Sequence, residues 1–184
     1  GIHIPQKHLA NSAGVLALPA SYYDLVRPGI MIYGLYPSVE VTRSIPLIPA
    51  MTLKSKVIYV KQVTTGTPVS YGRTHYTKRD TVVATVPVGY ADGYNRHLSN
   101  KGCAFIHGTR APLIGRVCMD MCMFDVTRLK EVKPGDEAIL FGEAPTIDEI
   151  AGSLGTINYE VVTTVGKRVP RVYVDHLPIA PAYP

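Results

Sequence analysis

The feature that most constrains this fold is a change of texture between Tyr36-Pro37-Ser38 and the prolines at 46 and 49. Before it, Leu9-Ala10-Asn11-Ser12-Ala13-Gly14-Val15-Leu16-Ala17 reads as a loop entering a short helix, with Asn11 or Ser12 as the cap. Pro19 interrupts, and Tyr22 to Val26 suits another helical turn. Arg27-Pro28-Gly29 then turns the chain into the apolar run Ile30-Met31-Ile32-Tyr33. This strand–loop–helix rhythm is that of the last units of an α/β barrel. At 184 residues the chain is too short for a whole barrel of about 250.

After Pro49 the period becomes that of strands. Met51 to Val63 alternates imperfectly, and Thr81 to Val88 is β-branched and nearly uncharged, which suits a strand buried on both faces. Cys103 to His107, Arg110 to Val117, Met121 to Val126 and Glu137 to Phe141 follow, split by turns such as Lys133-Pro134-Gly135-Asp136. Two helices come next. Thr146 to Glu149 has capping-box spacing with Gly155 as the stop, and Asn158 caps a second face of Val161, Val162 and Val165. Arg171 to Val174 reads as a closing strand. The expected fold is therefore mainly β. A compact antiparallel β domain with two short helices fills residues 49–184, after the last piece of an α/β (TIM-type) barrel in residues 1–48.

Composition excludes more than it selects. With 46% hydrophobic and 18% charged residues, the chain is not of the disordered class. The net charge of +5 suits an anionic ligand or nucleic acid and chooses neither. No apolar run reaches the roughly 20 residues of a membrane span, and no signal-peptide pattern opens the chain. Three cysteines argue against a disulfide framework and for a reducing, cytoplasmic setting. Cys118 and Cys122 lack a histidine or a second cysteine pair at ligand spacing, so they read as free thiols, with no metal site expected. Serine-hydrolase elbows, Walker loops and dinucleotide fingerprints are missing.

Five segments carry chemistry-bearing residues. Within His8–Gly14, Ser12 offers a hydroxyl and backbone N–H groups suited to phosphate, or simply a helix cap. In Arg27-Pro28-Gly29-Ile30, Arg27 is either buried and paired or snorkelling. Val69-Ser70-Tyr71-Gly72-Arg73-Thr74 places a phenol on a bend; a phenol with its reference pKa of about 10 needs nearby cations to act as a base. Pro87 to Arg96 runs a buried strand into a loop of two glycines, two tyrosines, Asp92 and Arg96, a composition for binding or an interface. Gly115-Arg116-Val117-Cys118-Met119-Asp120 is the fifth.

In order and wording these segments, together with Ile157-Asn158-Tyr159-Glu160 and Arg168-Val169-Pro170-Arg171, resemble the C-terminal part of the bacterial alanine racemase family. That resemblance implies an isomerase dependent on pyridoxal 5'-phosphate that interconverts L- and D-alanine for cell-wall peptidoglycan synthesis. It also implies a head-to-tail homodimer with active sites shared between subunits. Carried onto this sequence, Tyr71 would be the catalytic tyrosine exchanging the Cα proton on one face. Arg27 would face the pyridine nitrogen, supported by His8. Ser12 and Tyr159 would hold the phosphate with the backbone of Gly29 and Ile30. Met119 would receive the substrate carboxylate through its N–H, and Tyr90 would line the entrance.

The chemistry agrees with those roles. Racemisation takes a proton from one face and returns it on the other, so two bases are required. Arginine does not readily surrender a proton, so beside the pyridine nitrogen it leaves the ring a weaker electron sink and limits side reactions. The family's cofactor lysine lies in a Val-Lys-Ala-Asn-Ala-Tyr-Gly-like motif that nothing here matches. The expectation is that this chain is about half of the enzyme and inactive alone. A broad-specificity racemase is the alternative within the family. Outside it stand a basic β-barrel module stacking nucleic-acid bases on tyrosines, and a dimerisation module.

Overall fold

The computed structural model describes residues 3–174. The described residues separate into two compact units: one holds residues 3–51 and 172–174, and the other is Thr52–Arg171.

In the first unit, β1 (His8–Asn11) leads directly into α1 (Ser12–Ala17), and β2 (Leu25–Arg27) returns parallel to β1. A parallel pair joined through a helix is the repeating unit of an α/β barrel. Asn11 caps α1, its side chain accepting the Gly14 N–H at 3.0 Å. The helical turn expected over Tyr22 to Val26 does not form. Pro19 starts a 3-10 turn, Pro19–Ser21, after which the β-branched and leucine side chains pair as β2. The apolar run Ile30–Tyr33 is also a 3-10 turn, ended by Gly34 in the left-handed region.

The second unit is antiparallel throughout its sheets. Its strands are β3 (Leu53–Lys56), β4 (Tyr59–Val63), β5 (Pro68–Val69), β6 (His75–Tyr76), β7 (Thr81–Val86), β8 (Cys103–Ile106), β9 (Thr109–Pro112), β10 (Cys122–Asp125) and β11 (Glu137–Phe141). One sheet has the order β10-β7-β4, another β3-β11-β8-β9, and β5 and β6 form a small hairpin. β7 is central, and Thr81, Val83, Ala84 and Val86 are all buried, as its uncharged sequence requires. The core between the sheets is built from Ala104, Ile106, Ala111, Phe124, Ala138 and Leu140, each withdrawn from solvent.

Two helices complete the unit. α2 (Ile147–Leu154) begins on the Thr146 capping box and stops at left-handed Gly155. α3 (Asn158–Thr163) buries Val161 and Val162. Ile157 holds the cap position there, and Asn158 is already helical, its Nδ2 donating to Asp148 Oδ1 at 2.8 Å. Arg171 to Val174, expected as a strand, has no ladder. Arg171 instead donates to the carbonyls of Val165, Gly166 and Val169. None of the described helices is long and apolar enough to cross a membrane.

Candidate active site

In the first unit, two backbone donors converge on one buried hydroxyl. Ser12 Oγ accepts the Gly29 N–H at 2.9 Å and the Met31 N–H at 3.5 Å, and the Ser12 side chain is buried at the start of α1. With its oxygen accepting these two bonds, the Ser12 hydroxyl keeps its own proton to donate to an anion such as a phosphate oxygen. Ile30 lies between those donors with its side chain buried. Arg27 is exposed and spends one donor on the Leu9 carbonyl, Nη2 to O at 3.2 Å. Among the described residues its guanidinium, which carries five N–H donors, makes no other hydrogen bond. His8 is exposed at the start of β1, opposite Leu25 in the β1–β2 register.

In the second unit, three of the expected residues sit on loops bonded to one another. Tyr71 opens a short turn, Tyr71–Arg73, and is 76% exposed, the phenol standing off the β5–β6 hairpin. Behind it, Ser70 Oγ donates to the Arg116 carbonyl at 2.8 Å. The Arg116 guanidinium lies against Gly72: a Cβ there would stand 3.2 Å from Arg116 Nε, which is buried and without a hydrogen-bond partner. Positive charge is thus fixed beside the tyrosine turn.

The same loop runs on to Met119, exposed like Tyr71, whose N–H has no acceptor among the described residues. Tyr90 N–H donates to the Cys118 carbonyl at 3.0 Å, and Ala91 N–H to the Met119 carbonyl at 3.1 Å. That approach requires Gly89, because a Cβ there would lie 2.2 Å from Met119 O and 2.3 Å from Cys118 O. Tyr90 remains exposed beside it.

Residues with no role of their own in the motifs hold these loops. Asp92 Oδ2 accepts the Gly89 N–H at 2.8 Å. Arg168 Nε donates to Asp92 Oδ1 at 2.7 Å and Nη2 to Asp120 Oδ1 at 2.5 Å, and these bonds push its pKa further up. Asn100 accepts the Gly115 N–H at 2.7 Å, while Ser99 Oγ accepts that of Val117 at 3.1 Å. Arg116 and Arg168 belong to the motifs at 115–120 and 168–171, whereas nothing in the local sequence marks Ser99 or Asn100.

Tyr159 is half-buried in the first turn of α3, and burial raises the pKa of its phenol. Cys122 is buried, Cys118 half-buried, and both are free thiols; burial pushes the Cys122 pKa well up. Among the described residues no group of three or more histidine, cysteine or acidic side chains could hold a metal ion. A groove of about 420 Å³ between Lys101, Arg110 and Glu149 includes none of the expected residues.

Comparison with known proteins gives this arrangement a family. The model of the alanine racemase C-terminal domain matches residues 50–173, and that of the alanine racemase N-terminal domain matches residues 1–37. Alanine racemase of Desulforamulus reducens is 54% identical over 176 residues, covering 95% of this chain and 48% of its own length. Among solved structures, the Streptomyces coelicolor alanine racemase superposes with a TM-score of 0.90 at 43% identity, over 96% of this chain and 47% of that one. The Bacillus anthracis alanine racemase, solved with bound L-Ala-P, gives 0.88 at 40% identity, over 95% and 46%. The chain spans about half the length of the curated relatives it matches. With two-thirds of its residues under one family model and its fold that of the solved racemases, the chain belongs to the alanine racemase family.

Proposed function

We propose that this chain supplies one base, the carboxylate loop and part of the cofactor site of a pyridoxal 5'-phosphate-dependent alanine racemase. The observation that carries the reading is the exposed phenol of Tyr71, on a turn bonded through Ser70 and Arg116 to the loop of Met119 and Tyr90. A base and a carboxylate receiver must keep a fixed separation for a substrate as small as alanine. Here both hang from the Gly115–Met119 segment.

Tyr71 takes the Cα proton from one face of alanine, and a base outside this chain returns one on the other. The reverse direction exchanges those roles, so the proton balance closes. Arg116 keeps positive charge beside the turn, where the phenol oxygen becomes anionic. The Met119 N–H takes the substrate carboxylate, and Tyr90 borders the approach. Bound pyridoxal phosphate supplies the electron withdrawal that makes the Cα proton removable.

The Ser12 hydroxyl fits the phosphate, with the Gly29 and Ile30 backbone joining it as the family resemblance implies, and Arg27 fits the pyridine nitrogen as a donor that keeps its proton. His8 beside Arg27, and Tyr159 on the phosphate, rest on the family resemblance alone. The same proposal includes a cytoplasmic homodimer with shared sites, and inactivity of the 184-residue chain by itself because the cofactor lysine is not in it.

The test is racemisation by the full-length polypeptide containing this sequence, loaded with pyridoxal phosphate and started from either pure alanine enantiomer. Both should converge on an equal mixture. The Tyr71→Phe variant should lose about a thousandfold in kcat or more while keeping its bound cofactor. Stable enantiomers with the wild-type protein would overturn the reading.

A further inference from the structure

Ser70 adopts a backbone conformation that side chains avoid. Its φ of +67° and ψ of 178° fall in a region populated essentially by glycine alone. It immediately precedes Tyr71, so its ψ sets the direction in which that turn leaves the β5–β6 hairpin. Three contacts oppose relaxation. Ser70 Oγ donates to the Arg116 carbonyl at 2.8 Å and lies 3.4 Å from Cys118 Sγ. Its Cβ packs against Gly115, where an added Cβ would approach within 2.7 Å. Gly115 is itself held from behind by Asn100, through its N–H and its carbonyl.

We infer that Ser70 is a positioning residue for racemisation: its hydroxyl, bonded to the Arg116 carbonyl, holds a strained peptide that aims the Tyr71 phenol at the substrate. This rests on the reading of Tyr71 as a base. Alanine at position 70 keeps the steric penalty and loses the bond, so the peptide relaxes to negative φ and the phenol swings away. Glycine also loses the bond but occupies the same conformation without steric cost. The expected ranking is therefore the reverse of that in an ordinary extended segment, where alanine is tolerated better than glycine.

The experiment compares Ser70→Ala, Ser70→Gly and Tyr71→Phe in the full-length, cofactor-loaded enzyme, using kcat and the Cα-deuterium isotope effect from each alanine enantiomer. S70A should lose about 10- to 100-fold in kcat, the scale of a 1 Å misplacement of a reacting group. S70G should lose less than S70A. In S70A the isotope effect should rise only for the enantiomer whose proton Tyr71 removes, an asymmetry that a merely structural defect would not produce. An S70A rate equal to wild type, or S70G slower than S70A, overturns the inference. If S70A does not fold, S70G decides alone: a loss within about tenfold supports the inference and a larger one overturns it. A wild-type rate for Y71F would instead sink the reading of Tyr71; loss in Y71F with none in S70A sinks only the role of Ser70.

Discussion

Tyr71 is exposed because of the residues on either side of it. Ser70 is held in a glycine-like conformation before it, and Gly72, following it at φ +71°, leaves room for Arg116. Strain of this kind costs on the order of 1–3 kcal/mol and persists only where surrounding contacts over-determine it. Gly89 has a different reason to be glycine. Its φ of −155° suits any residue, but the backbone of Cys118 and Met119 occupies the space of a Cβ. Gly89→Ala should therefore cost about 2 kcal/mol or more in stability. It should also separate the Tyr90 turn from the Met119 loop, seen as a lower denaturation midpoint and weakened alanine binding. An unchanged midpoint would contradict the close approach. Tyr71 and Met119 stand out in the sequence only through the resemblance of their motifs to the racemase family; a tyrosine before a glycine is by itself an ordinary strand residue. Nothing marks the conformation of Ser70: a serine before a tyrosine gives no sign of positive φ, which depends on contacts with residues more than forty positions away.

Between elements, Arg168 joins what chain order keeps apart. It bridges Asp92 beside the Tyr90 turn and Asp120 beside Met119, across sequence separations of 76 and 48 residues. Such a bridge needs the planar fork of arginine. Arg168→Ala should lower kcat/KM of the full-length enzyme about fivefold or more, and Arg168→Lys should restore little of it. Equal rates in all three proteins would mean that these loops hold themselves.

α2 offers a second prediction. Glu149 accepts the Thr146 N–H at 2.7 Å and Arg110 Nη2 at 2.6 Å; the backbone bond is the larger cause lowering its pKa. A depressed carboxylate adds stability that is complete above the unfolded pKa of about 4.3 and lost as pH falls through the lower folded value. Glu149→Gln should therefore be less stable than the parent at neutral pH, with the two urea midpoints converging in acid. A gap independent of pH would contradict this. The capping box, Gly155 and β11 were readable because their signals are local. Tyr22 to Val26 and Arg171 to Val174 were not, because partners decided them. β1 drew the first into a strand, and the carbonyls of residues 165–169 took the guanidinium of Arg171.

At the scale of the molecule, the Thr52–Arg171 unit carries its own two larger sheets, the β5–β6 hairpin and a core. Residues 52–171 expressed alone should unfold in one cooperative transition; a gradual, non-cooperative melt would show that the core is incomplete. The division between fold and chemistry was legible in outline. The proline cluster marks where parallel pairing gives way to antiparallel sheets, while the loop network of the site is long-range and invisible to spacing.

The central claim, that Tyr71 serves one face of alanine, is tested most directly by following deuterium at Cα in D2O for full-length wild-type and Tyr71→Phe enzymes. Wild type should place deuterium in both enantiomers as they interconvert. Y71F should still exchange the proton served by the other base, with retention of configuration, while losing inversion. Inversion by Y71F at the wild-type rate would contradict the account.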